Sequence, residues 1–308
     1  MTCNWKWAAA WMGLLVWTAA CPAQDLVVPN SGVTGMPDLN IKLRLLLDRS
    51  NIKVYEPLYV CATADRFAAK VDPDIQVMFK DEKPLDLGRM GDQWLKSDLT
   101  QSPMRLCILL ADTSIEGDER FLFSKPGLYT IRVKIGPDAT PLQIKVDNGP
   151  ASDVQAFTEL GAANFKALLT EDFTADPSRD LIKVCQTVVH TYPDSTAANY
   201  CRAYLAIDTF KESFRVHKAG GGTSVWEPVA FQLGKCFVAH RDSFYGEEVG
   251  FYLAYAQGLS KDFAAMAQTI NSVKTHVTPW ADRMEGMKKE VSQHVKPKVV
   301  VLPTQPSR

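Results

Sequence analysis

Hydrophobic and polar residues alternate in short runs over the middle of the chain, between residues 41 and 146. The clearest run covers residues 128–135, where Tyr129, Ile131 and Val133 fall on one face and the residues between them are mostly polar. A period of two predicts β-strands with one face exposed to water. Seven to nine short strands of this kind, separated by turns, predict an antiparallel β-sandwich over residues 39–147.

The spacing of hydrophobic residues changes at Val154, from which three- and four-residue intervals replace the alternation. Such intervals are typical of one face of a helix. An Asn-Gly-Pro sequence at residues 148–150 separates the two patterns, because proline donates no ladder hydrogen bond. Ser152 or Asp153 is expected to cap the helix that follows. We therefore expect an α+β protein, with a C-terminal all-α domain over residues 150–295.

The first 24 residues have the pattern of a secretory signal, in which Lys6 precedes an apolar run over residues 8–20. As a helix this run spans about 20 Å, which is short of a bilayer core of about 30 Å. Small residues precede a cleavage point after Ala23. Residues 18–21, Thr-Ala-Ala-Cys, resemble the bacterial lipoprotein pattern, in which Cys21 is acylated. Simple secretion, lipidation at the outer membrane and an uncleaved anchor are the three alternatives, and we expect export to the periplasm or beyond.

Composition and charge narrow the choice of partners. The chain has 308 residues, of which 46% are hydrophobic and 22% charged, as in an ordinary globular protein. The formal net charge is -1, which gives no reason to expect nucleic acid or an anionic membrane as partner. Residues 25–38 are expected to be a linker, and residues 296–308 a C-terminal tail. Contact with a membrane is expected only through a lipid anchor.

Cysteine usage leaves two interpretations open. Beyond the signal the chain has an odd number of cysteines: Cys61, Cys107, Cys185, Cys201 and Cys236. In an exported protein, Cys61–Cys107 within the sheets and Cys185–Cys201 between neighbouring helices are candidate disulfides. The alternative is that they are buried free thiols, which act as small hydrophobic residues. The sequence has no Cys/His spacing typical of zinc, so no metal is expected.

Two short stretches carry a family resemblance in the β part. They are Val-Tyr-Glu-Pro-Leu-Tyr-Val at residues 54–60 and Lys-Pro-Gly-Leu-Tyr at residues 125–129. Both resemble immunoglobulin-like sandwich modules of exported bacterial proteins, and the resemblance covers residues 39–147. It implies a sandwich of that broad class. The antibody-type Cys…Trp…Cys spacing is absent, since Trp94 lies near Cys107 and far from Cys61.

The helical part carries a second resemblance, over residues 180–279. Leu253-Ala254, Ala256, Asp262-Phe263, Ala267 and Pro279 resemble a tetratricopeptide-like repeat, in which a large and a small residue let two antiparallel helices pack closely. This resemblance implies stacked helical hairpins, whose surfaces hold peptides in repeat proteins of this kind.

The aromatic residues of the helical part have two interpretations. An aromatic stripe at helical spacing usually belongs to the core. The alternative is a peptide-binding groove, for which the contact residues are Tyr204, Trp226, Tyr252 and Tyr255. Trp226 follows a glycine run and either anchors this loop in the core or contacts a partner.

The sequence contains no GxSxG, HExxH, Walker A or GxGxxG motif. His190 and His240 lie near predicted helix C-termini, where we expect them to be cations stabilised by the helix dipole. We therefore expect no cofactor, and a non-catalytic binding or assembly module of the bacterial cell envelope with a protein or peptide partner. The alternative is an extracytoplasmic hydrolase with its site at the junction of the two parts.

Overall fold

A computed structural model gives the fold of the chain. It describes residues 24–25, 44–47, 49–64, 74–80, 82–89, 94–96, 104–113, 120–135, 138–170, 178–218, 226–273 and 279–294. Cys21, the predicted tail and most of the predicted signal and linker lie outside these residues.

Within the described residues, ten strands precede eight helices. The strands are β1 (Gln24–Asp25), β2 (Arg44–Leu47), β3 (Asn51–Lys53), β4 (Leu58–Ala64), β5 (Asp74–Phe79), β6 (Leu85–Arg89), β7 (Trp94–Lys96), β8 (Met104–Leu110), β9 (Gly127–Ile135) and β10 (Asp138–Asp147). The helices are α1 (Ala151–Leu160), α2 (Ala162–Thr170), α3 (Arg179–Thr191), α4 (Thr196–Lys218), α5 (Trp226–His240), α6 (Tyr245–Leu259), α7 (Phe263–Ser272) and α8 (Pro279–His294).

The strands form two small five-stranded sheets. The first has the order β1-β2-β4-β8-β7, and its neighbouring strands are antiparallel. The second has the order β3-β10-β9-β5-β6. In this second sheet β3 runs parallel to β10, while the other neighbours are antiparallel. The second sheet is therefore mixed.

The central strands β4 and β8 of the first sheet have described side chains buried on both faces. Leu58 and Val60 of β4 belong to a hydrophobic core shared with the second sheet. Tyr59 and Cys61, which alternate with them, belong to a core shared with the helices. Because successive side chains of a strand point to opposite faces, the first sheet forms the middle of three layers, between the second sheet and the helices.

The predicted fold class is wrong. The parallel pairing of β3 with β10 makes the β part a pair of small sheets, one of them mixed, and not an antiparallel immunoglobulin-like sandwich. Helices contain about twice as many described residues as strands. The helices share a core with the first sheet, so they are not a separate all-α domain. Nor are they equal tetratricopeptide-like hairpins, since α3 has 13 residues and α4 has 23.

One buried carboxylate ties the layers together. No side chain caps α1, so the expected capping by Ser152 or Asp153 is wrong. The Asp153 carboxylate instead accepts hydrogen bonds from the Thr196 backbone N–H (2.7 Å) and hydroxyl (2.9 Å) at the start of α4. Lys53 of β3 places its Nζ 3.8 Å from the same carboxylate. The Asp153 carboxylate of α1 therefore caps the N-terminus of α4.

Successive helices from α3 to α7 pack against one another, and α6 and α7 both contact α8. Among the described helices, none combines the length and the hydropathy that a membrane span requires.

Candidate functional site

The predicted contact residues lie mainly in the helical core. Trp226 has no exposed surface, and Tyr204 and Tyr252 are also buried. Tyr255 is partly exposed. The Trp226 ring centre lies 5.6 Å from that of Phe210, which also packs against Tyr252 and Tyr255. This burial favours the anchor interpretation of Trp226 over the contact interpretation.

The aromatic core reaches the protein surface between α6 and α8. The guanidinium carbon of Arg283 lies 4.3 Å from the ring centre of Trp280 and 5.9 Å from that of Phe251. The Phe251 ring lies 5.1 Å from Trp280 and 5.9 Å from Tyr255. Trp280 and Tyr255 are partly exposed, and Arg283 is exposed. We call Phe251, Tyr255, Trp280 and Arg283 the aromatic surface. Sequence reasoning missed Trp280 and Arg283, although their three-residue spacing places them on one face of α8.

Glu248 lies at the edge of the aromatic surface. It precedes Tyr255 by seven residues, so both lie on the same face of α6. Burial of its carboxyl group raises the pKa of Glu248 to about 8, and the positive charges of Lys211 and Arg283 oppose this rise. The carboxyl group is therefore mostly protonated near pH 7 and does not offset the charge of Arg283.

A small pocket, which we call the junction pocket, lies where the chain on either side of β3 meets α4, the end of α5 and the turn after α5. Its volume is about 120 Å³. Its lining residues come from four segments of the chain and are Arg49, Glu56, Thr196, Asn199, Tyr200, Ala239, His240, Asp242 and Ser243.

Most charged groups of the junction pocket are already matched within the protein. Glu56 is buried, and its carboxylate accepts hydrogen bonds from Arg49 Nη1 (3.3 Å) and the Lys53 backbone N–H (3.0 Å). Arg49 also donates through Nη2 to the Pro57 carbonyl at 2.9 Å. A partly buried ion pair with additional hydrogen bonds holds its two side chains in one geometry.

His240 is a buried titratable residue of the junction pocket. Its ring lies 4.6 Å from the Tyr200 ring and 5.1 Å from the Tyr245 ring. Burial lowers the pKa of His240 to about 4, a hydrogen bond to the Asn199 backbone carbonyl opposes this shift, and the charge of Arg49 adds to it. His240 is therefore neutral at pH 7. The expectation of a cation at this helix end is wrong, because the cost of desolvation exceeds the dipole term of roughly 1 kcal/mol.

The junction pocket brings Ser243, His240 and Asp242 together, as the hydrolase alternative required. The Ser243 hydroxyl, however, donates to the backbone carbonyl of His240 at 2.9 Å and not to its ring. The Asp242 carboxylate lies 3.9 Å from Arg241 Nε. This arrangement closes the turn between α5 and α6, and it is not the nucleophile–base bond that acyl transfer uses.

A second pocket, of about 220 Å³, lies against the second sheet. Phe79, Phe121 and Tyr129 contribute aromatic walls, and the Lys125–Glu82 ion pair (3.0 Å) lies at its rim. Where the structure describes side chains, no three His, Cys, Asp or Glu residues are grouped as a metal site requires.

The cysteines adopt both expected states. A disulfide joins Cys61 to Cys107 across neighbouring strands of the first sheet. Cys185, Cys201 and Cys236 are buried free thiols, so the candidate Cys185–Cys201 disulfide is wrong. The thiols of Cys185 and Cys201 are hydrogen-bonded to each other instead. Burial raises the pKa of Cys236 to about 11, so this thiol is inert near pH 7.

Comparison with known proteins identifies no family. No protein-family model and no curated protein matches the chain. A β-glucosidase from Listeria innocua in complex with gluconolactone aligns with 39% of this chain and 20% of its own, at 11% identity and a TM-score of 0.21. A polysaccharide lyase aligns with 76% of this chain and 40% of its own, at 8% identity and a TM-score of 0.21. The chain spans less than half of either structure, and TM-scores this low carry no argument about fold or function.

Proposed function

We propose that the protein is a non-catalytic binding or assembly module of the bacterial cell envelope, and that its aromatic surface contacts a protein or peptide partner. The observation that carries this proposal is the stacking of Arg283 over Trp280 beside the partly exposed Tyr255. Trp, Tyr and Arg are the residue types that carry most of the binding energy at protein interfaces.

The aromatic surface is held in place before any partner binds. Trp280 packs against Phe251 and Tyr252, with ring centres 5.1 Å and 5.5 Å away. Side chains fixed in this way lose little conformational entropy on binding, which otherwise costs about 0.5–1.5 kcal/mol for each ordered side chain. A partner therefore gains most of the free energy of burying these rings.

The charge of the aromatic surface defines the chemistry of the partner. Arg283 is cationic, and Glu248 beside it is mostly uncharged near pH 7 because its pKa is about 8. A partner segment with an apolar side chain for Trp280 and a carboxylate for Arg283 complements this surface.

Two observations support the cell envelope as location. The first 24 residues have the pattern of a secretory signal. The structure contains a Cys61–Cys107 disulfide, and disulfides form and persist mainly in oxidising compartments outside the cytosol. The hydrolase alternative stays a prediction. The Ser/His/Asp group of the junction pocket does not support it, because the Ser243 hydroxyl donates its hydrogen bond to a backbone carbonyl and not to a base.

Site-specific photo-crosslinking in the producing bacterium tests the proposal. A photoreactive phenylalanine analogue at position 283 of the full chain should give a light-dependent adduct in the envelope fraction. The same analogue at Gln186, an exposed position of α3, is the matched control and should give none. The added change Trp280→Ala should reduce the adduct at position 283 at least tenfold. Equal adducts at positions 283 and 186, or an adduct unaffected by Trp280→Ala, would overturn the proposed contact.

A further inference from the structure

The outer face of α5 carries two large apolar side chains that are exposed to water. Phe231 and Val238, which lie two turns apart on this face, are 65% and 66% exposed. The inward face of the same helix is buried, with Trp226, Leu233 and Phe237 in the helical core. Exposed apolar side chains that share one helix face are typical of a contact surface, because apolar surface is stabilised by removal from water.

A notch lies beside Phe231 on this outer face. Gly234 follows Phe231 by three residues, and a Cβ atom added to it would meet no atom of the described residues within 4 Å. Packing inside the chain therefore does not require a glycine here, although glycine is less stable than alanine in the interior of a helix. The missing side chain leaves room for another chain to approach the helix closely.

Opposite charges flank Phe231 at equal distances. Glu227 lies four residues before Phe231 and Lys235 four residues after it, and both are exposed. Eight residues of helix span about 12 Å, so these two charges are too far apart to pair within one copy. Lys235 Nζ lies 4.4 Å from the ring centre of Phe231, which holds the cation over the apolar centre. We call Glu227, Pro228, Phe231, Gly234, Lys235 and Val238 the α5 face.

From this symmetry of charge we infer that the α5 face binds the α5 face of a second copy of the chain, in antiparallel orientation, about a two-fold axis at Phe231. Residues equally far before and after Phe231 are then opposite each other, so Glu227 of each copy faces Lys235 of the other. Pro228 of one copy likewise faces the notch at Gly234 of the other. A two-fold interface requires a self-complementary surface of this kind. A parallel pairing would instead place like charges opposite each other.

The size of the α5 face predicts a weak dimer. Stable specific interfaces bury about 1,200–2,000 Å² in total, and one pair of 15-residue helices buries less. We therefore expect a reversible dimer with a dissociation constant of about 10–100 µM. The α5 face shares no residue with the aromatic surface, so this inference does not rest on the proposed function.

Sedimentation equilibrium of the purified full chain, at concentrations on both sides of this dissociation constant, tests the inference. Glu227→Lys and Lys235→Glu should each weaken dimerisation at least tenfold, because two-fold symmetry turns each change into two contacts between like charges. The double variant that carries both changes restores both pairs with reversed sign. It should dimerise within about threefold of the natural chain, which no effect on one copy alone would explain.

Two further variants localise the contact. Phe231→Ala removes the apolar centre of the α5 face and should weaken dimerisation at least tenfold. Glu159→Lys, at an exposed position of α1, is the matched charge reversal and should leave dimerisation unchanged. Far-ultraviolet circular dichroism checks that every variant folds. A natural chain that stays monomeric, single reversals without effect, or a double variant as weak as the single ones would overturn the inference.

Discussion

Trp226→Ala tests whether this tryptophan anchors α5 in the helical core. Trp226 has no exposed surface, and its ring contacts those of Phe210, Phe214 and His217 at 5.6 to 6.5 Å. Replacement of a buried large aromatic residue by alanine costs about 3–5 kcal/mol, from lost transfer free energy and the cavity left behind. We expect a loss of unfolding free energy in this range.

The size of the loss in Trp226→Phe separates packing from hydrogen bonding. The indole Nε1–H is buried and has no partner among the described residues. Phenylalanine keeps much of the ring and removes this unsatisfied donor, whose burial costs about 1–3 kcal/mol. Trp226→Phe should therefore cost no more than about 1.5 kcal/mol, far less than Trp226→Ala.

Urea unfolding followed by circular dichroism measures these losses. Phe231→Ala is the matched control, because Phe231 lies on the same helix and is 65% exposed. It should change the unfolding free energy by less than about 0.5 kcal/mol. An unchanged urea midpoint for Trp226→Ala would refute the anchor interpretation and make position 226 a candidate contact residue again.

Three further predictions concern His240, Asp153 and the disulfide of the first sheet. Burial lowers the folded-state pKa of His240 to about 4, below the 6.5 of an exposed histidine, so the unfolded chain binds the proton first. The unfolding free energy should therefore fall by about 3 kcal/mol between pH 6.5 and 4, and a fall of equal size in His240→Gln would contradict the assignment. Asp153→Ala should cost about 2 kcal/mol by urea unfolding, since the cap on Thr196 is lost, whereas Asp153→Asn should cost less because its side chain still accepts one bond. Replacing both Cys61 and Cys107 by serine should cost about 2–4 kcal/mol, and unchanged thermal and urea midpoints would show that the disulfide contributes nothing.

The sequence predicts which side chains of a strand point inward better than it predicts which strands are neighbours. In β9, Ile131 and Val133 are buried and Arg132 is exposed, as the alternation indicates. β3 has three residues, and nothing in so short a segment indicates its parallel pairing with β10. Strand pairing is a long-range property that depends on the rest of the sheet.

A local signal for the middle layer is present in β4. Both of its faces are apolar, with Leu58 and Val60 on one and Tyr59 and Cys61 on the other. A strand that is hydrophobic on both faces is typical of a sheet covered on two sides. The sequence-based prediction had separate β and α parts, and strands with one face exposed to water. It therefore missed that the helices cover the second face of this sheet.

The candidate sites were harder to predict because their environments come from distant residues. His240 lies at a helix end, but Tyr200 of α4 and Tyr245 of α6 bury it. The spacing of Trp280 and Arg283 shows that they share a helix face, yet it does not show that the face is exposed. Helical periodicity likewise cannot separate a buried aromatic stripe from a groove.

The position of the first sheet between two layers has a consequence for biogenesis. Its strands are complete at Leu110, whereas the helices that cover its Tyr59 and Cys61 face begin only at Ala151. A chain that is made from its N-terminus carries this apolar face uncovered until the helical half has been synthesised. During that interval the face is open to chaperones and to aggregation. Truncation within the helical half should therefore lower the solubility of the protein even where the deleted residues lie far from the first sheet.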